Sequence, residues 1–129
     1  MFSFIKRIFS SSNKSNNEAK VGAEYIKRTR DSFKMKVERN LKGKQLEKEG
    51  RIEEAIELYE KNIEKGFDGS HPYDRLCIIY RKQGKIADEI RVLEKAIRVY
   101  EKIIKERPIE QAKLDRYKER LEKVKKLIQ

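Results

Sequence analysis

From Lys20 onward, apolar residues return every three or four positions, the spacing of one face of a helix. The first run is expected from about Glu18 to Lys48. Val21, Tyr25, Thr29, Phe33, Val37 and Leu41 fall every four residues, and Ile26 and Leu46 widen the stripe. Glu49-Gly50 ends it, because glycine accepts the left-handed cap conformation. A second helix is expected over Ile52–Lys65, with Ile52, Ala55, Ile56, Tyr59 and Ile63 inward. A turn at Gly66–Ser70 follows, with Ser70 placed to cap a third helix and Pro72 in its first turn. That helix, Pro72–Gln83, turns Leu76, Ile79 and Tyr80 inward and breaks at Gly84. A fourth starts near Ile86, carries Ile90, Leu93, Ala96, Ile97, Tyr100, Ile103 and Ile104, and stops before Pro108. A fifth, Ile109–Ile128, sets Leu114, Tyr117, Leu121, Val124 and Ile128 on one side and charges on the others.

The pattern repeats. Gly50 and Gly84 stand 34 residues apart, and Ile52, Ile56, Leu58, Tyr59, Glu60 and Lys61 align with Ile86, Ile90, Val92, Leu93, Glu94 and Lys95. A period of that length, with glycine between two helical runs, indicates a stacked helix-turn-helix array. The expected fold class is all-α, an α-solenoid of about five helices.

These residues resemble tetratricopeptide repeats over about 36–103, as two repeats at about 36–69 and 70–103 with a capping helix at about 109–128. In that family a small residue lets the paired helices approach, and Gly43 and Cys77 stand there. Leu46 and Tyr80 match the large residue before the turn, and Gly50 and Gly84 the turn itself. Ala55, then Tyr59 and Leu93, then Asn62 and Ala96 match positions of the second helix. The chain departs in three places. Arg39 replaces the opening aromatic that Tyr73 supplies in the second repeat. Glu89 stands where Ala55 stands. No proline closes a repeat at Phe67 or Glu101.

Composition changes the picture in two ways. With 43% charged residues, the core of this 129-residue chain must be thin. The net charge of +11 is also uneven, since residues 1–50 hold 13 Lys and Arg against 6 Asp and Glu. The excess reads first as a solubilising surface. It otherwise suits nucleic acid, an anionic membrane or an acidic protein. Nucleic acid is the less favoured of these, because no known nucleic-acid-reading motif appears.

The N-terminus, residues 1–17, is expected as a flexible apolar and basic segment. Phe2, Phe4, Ile5, Ile8 and Phe9 surround Lys6 and Arg7, and a serine- and asparagine-rich linker follows. The order is wrong for a signal peptide, and no run approaches the ~20 apolar residues of a membrane span. The segment reads either as a small interfacial anchor or as a terminus that frays or docks on the domain.

Enzymatic chemistry has little to rest on. There is one histidine, His71, one cysteine, Cys77, and no Gly-rich phosphate loop. No cofactor or metal spacing is present. Cys77 reads as a small buried hydrophobe, and a lone cysteine fits a reducing, cytoplasmic compartment.

The resemblance implies a non-enzymatic scaffold or adaptor, with the first helix of each pair lining a groove. Counting along those helices places Val37, Asn40, Lys44, Glu47 and Lys48 there from the first, and His71, Asp74, Ile78, Arg81 and Lys82 from the third. Some members clamp a peptide carboxylate with lysine, arginine and asparagine at such sites. The expected ligand is therefore a protein or peptide, acidic or C-terminal. A solvated charged face is the plainer reading of the same residues. Self-association of so short a stack stays open.

Overall fold

The computed structural model describes residues 12–129, and side chains from residue 16 onward. The five residues Phe2, Phe4, Ile5, Ile8 and Phe9 read above as a membrane contact lie outside them. Among the described residues every element is helical: α1 (Ser12–Lys48), α2 (Ile52–Glu64), α3 (His71–Lys82), α4 (Ile86–Glu106) and α5 (Gln111–Lys125). Short 3-10 turns at Pro108–Glu110 and Lys126–Ile128 flank α5. Among the described residues the fold is all-α, with five helices. The chain divides into two compact units, residues 1–37 and 38–129.

The larger unit is built by consecutive packing of α2 on α3, α3 on α4, and α4 on α5. Its turns use one device. Gly50 has φ +78° and Gly84 φ +72°, a backbone region that side chains disfavour. At the first, the amide of Arg51 donates to the carbonyl of Leu46 (2.9 Å) and Gly50 donates to Glu47 (3.0 Å). At the second, Lys85 donates to Tyr80 (2.9 Å) and Gly84 to Arg81 (3.1 Å). Both are Schellman caps, which satisfy carbonyls that the helix end leaves open.

The end of α1 approaches α2 closely at Gly43. A Cβ there would lie 2.5 Å from Cε1 of Tyr59, so only glycine fits. Tyr59 is fully buried, with Leu46, Ala55, Ile56 and Ile63 in the same core. Between α3, α4 and α5 the centre is aromatic. The rings of Tyr73, Tyr100 and Tyr117 lie 5.4 to 6.5 Å apart. Tyr73 donates to the carbonyl of Phe67 (2.7 Å) and Tyr100 to that of Asp68 (3.3 Å), which pins the α2–α3 loop to the core.

Several sequence expectations need correction. Helix α1 begins at Ser12, so the serine- and asparagine-rich stretch is helical from there; such residues can extend a helix that continues beyond them. The expected inward stripe of α1 is largely in water. Val21, Tyr25, Phe33 and Leu41 are exposed. Ser70 occupies the N-cap position of α3 but makes no side-chain cap. Its backbone is helical (φ −77°, ψ −22°), which does not aim Oγ at the free amides. Ile128 falls in the terminal 3-10 turn and is exposed.

Candidate binding face

Apart from Val37, the residues expected to line a groove sit on α1 beyond Glu38 and on α3, and α5 adds to them. The sequence placed Asn40 there as an amide. Asn40 is instead buried, where its Oδ1 accepts from Nδ2 of Asn62 (2.8 Å). Arg39 donates to Oδ1 of the same Asn62 (3.2 Å). Two polar residues facing each other between α1 and α2 satisfy one another, and burial makes that pairing obligatory. Asn40 therefore belongs to the helix interface.

Asp74 and Arg81 are likewise engaged within the protein. Asp74 accepts from the Tyr117 hydroxyl (3.0 Å), with Arg116 at 3.7 Å. Burial pushes the Tyr117 hydroxyl upward in pKa, and the Asp74 charge adds to it, so Tyr117 stays a donor. Arg81 donates from Nε to Glu89 (2.7 Å), and Arg120 donates to the other carboxylate oxygen (3.1 Å). Glu89 is fully buried. A lone carboxylate there would be costly, and two guanidiniums, each partly in water, offset that cost.

A third cluster joins α1 to α3. Arg75 forks onto Glu47, with Nη2 at 2.5 Å and Nε at 3.1 Å. The Tyr59 hydroxyl donates to the same carboxylate (2.6 Å), and His71 Nε2 lies 3.4 Å from that hydroxyl. Burial alone would raise the Glu47 pKa. The bonds from Arg75 and Tyr59 outweigh it and hold the carboxyl below its ordinary value. His71 moves down, first by burial and then by the nearby Lys44 charge. Its ring therefore favours the neutral form.

Lys44, Lys48 and Lys82 remain exposed on these helices, and Ile78 is half-buried. None of these three lysines takes part in an ion pair among the described residues. Beside them Arg75, Arg81, Arg116 and Arg120 hold Glu47, Asp74 and Glu89. The acids are all occupied internally.

Sequence reasoning missed Glu89, Arg116 and Arg120 as members of this face. Glu89 did carry a signal, since an acid stands where the first repeat has Ala55. Its partners lie 8 and 31 residues away and could not be read from spacing.

Two other features bear on chemistry. A cleft of about 340 Å³ lies between α2 and α4, lined by Glu60, Ile63, Glu64, Arg91, Lys95 and Arg98, away from the expected residues. Arg91 already pairs there with Glu60 (2.5 Å). Cys77 is buried, and burial pushes its thiol up to about 12. Among the described residues no group of three or more histidine, cysteine or acidic side chains could hold a metal ion, and no helix is long and apolar enough to cross a membrane. Comparison with protein-family models, curated proteins and solved structures returned no match.

Proposed function

We propose that residues 38–129 form a non-enzymatic adaptor of the tetratricopeptide type, binding an acidic or C-terminal peptide on the face shared by α1, α3 and α5. The repeat reading is supported by two Schellman turns of the same construction 34 residues apart, and by the close approach at Gly43. One observation carries the binding reading. Glu47, Asp74 and Glu89 are each engaged by a partner within the protein, while Lys44, Lys48 and Lys82 present their ammonium groups to solvent. A surface left with excess positive charge over satisfied acids attracts carboxylates. The adaptor would work in the cytoplasm, where its single thiol stays reduced.

The test uses exposed lysines, because Arg81 holds a buried acid and its reversal would disturb the fold. Labelled acidic peptides with a free C-terminus are titrated against the full chain and the variant K44E/K48E/K82E. The expected outcome is binding to the parent and at least a tenfold loss in the variant, with both melting alike. Peptides that bind both equally, or neither, overturn the assignment.

A further inference from the structure

Helix α1 carries a second surface, independent of the peptide-binding face. Every side chain from Asn16 to Met35 is exposed. The exposed residues are not mixed at random. At about 100° per residue, Val21, Tyr25, Ile26, Thr29 and Phe33 fall within about 140° of arc, which they share with the small polar Ser32. Every charged residue from Lys20 to Lys34 falls outside that arc. Tyr25 is 66% exposed and Phe33 56%, so large apolar groups stand in water along one side of a helix.

The one threonine on this arc is already satisfied. Thr29 Oγ1 donates to the carbonyl of Tyr25 at 2.9 Å. The arc can therefore enter an apolar medium without stranding that hydroxyl. On the other side, Lys20, Lys27, Arg28, Arg30 and Lys34 face only Glu24 and Asp31. Arg28 and Arg30 border the apolar arc on its two margins, where a long cationic side chain reaches outward beside an inserted face.

We infer that the apolar arc of α1 over residues 19–34 docks on a lipid surface bearing anionic phosphate headgroups. The charge excess complements such headgroups, and the arc supplies the buried apolar area that reversible interfacial binding requires. A second copy of the helix fits less well. Val21, Tyr25 and Phe33 follow four-residue steps, so the stripe turns about 40° at each step and leaves the 3.5-residue seam of a coiled coil. A wide arc suits a fluid interface and does not suit a narrow seam. Nucleic acid would engage the cations but leave Val21, Ile26 and Phe33 in water.

The experiment is co-sedimentation of the full chain with phosphatidylcholine vesicles, with and without phosphatidylserine. The variant Y25S/I26S/F33S is compared, with circular dichroism to check that the core still melts as in the parent. The expected result is sedimentation with the anionic vesicles only, reduced at least tenfold in the variant and weakened by salt. A second readout is the emission of F33W, which should shift to the blue on anionic vesicles. Failure to sediment, or equal sedimentation of parent and variant, overturns the inference. So does a parent dimer in solution that the triple substitution dissociates, since a second copy then covers the arc. Peptide binding to the α1, α3 and α5 face is measured separately, so failure of one reading leaves the other standing.

Discussion

Leu41 and Leu46 lie five residues apart on one helix, yet one is 59% exposed and the other 4%. The contrast runs through all of α1. From Asn16 to Met35 its side chains face water; beyond Glu38 it meets α2 through Asn40, Gly43 and Leu46. Both stretches carry apolar residues at helical spacing. Spacing fixes which residues share a face, and a facing element decides whether that face is dry. What distinguishes the packed stretch is its small and polar residues. Gly43 makes room for Tyr59, and Asn40 meets a matching amide.

The largest expected effect separates the two leucines. Leu46→Ala should lower unfolding stability by about 3 kcal/mol through lost burial and a residual cavity. Leu41→Ala should stay within about 0.5 kcal/mol, as surface changes do. Denaturant titration followed by circular dichroism measures both. Equal losses would mean that Leu41 has a partner and would erase the distinction.

Next come the two glycines of the same helix. Gly43→Ala drives a methyl into the Tyr59 ring and should cost about 2 kcal/mol by overpacking. At Gly22 an added Cβ meets nothing within 4 Å. Gly22→Ala should therefore leave the core's midpoint unchanged and raise helicity locally, by at most about 1 kcal/mol. A destabilised Gly22→Ala protein would show hidden packing around the first half of α1.

The smallest effect is on pH, and it sharpens the packed side. His71 has a lowered pKa in the folded chain, so below its ordinary value near 6.5 the unfolded chain takes up the proton more readily. Stability is complete above that pH and declines as pH falls through it. Glu47, also lowered, adds a second decline on further acidification, as the carboxylate bound by Arg75 and Tyr59 protonates. Thermal melts from pH 7.5 to 5.5 should fall in the parent and stay flatter in His71→Gln. Parallel curves for the two would assign the decline to other groups.

Much of the fold was legible from spacing. The starts of α2 and α4, the glycine turns and the stop at Pro108 all follow from local rules. What was not legible depends on long-range pairing. The stripe of α1 looked like core because sequence spacing cannot show whether an element lies opposite. At the candidate face, residue counting along helices listed Asn40, Lys44, Lys48, Asp74, Arg81 and Lys82 together. It could not show that Asn40, Asp74 and Arg81 have partners within the protein, which are Asn62, Tyr117 and Glu89, each placed by a different helix.

Cys77 gives the chain an internal timekeeper. Its sulfur sits in the middle of α3, shut away and held as the thiol, so electrophiles and oxidants wait outside until that helix parts from its neighbours. Damage at this atom would thus record past openings of the core, one molecule at a time, and a copy that never opened would carry none.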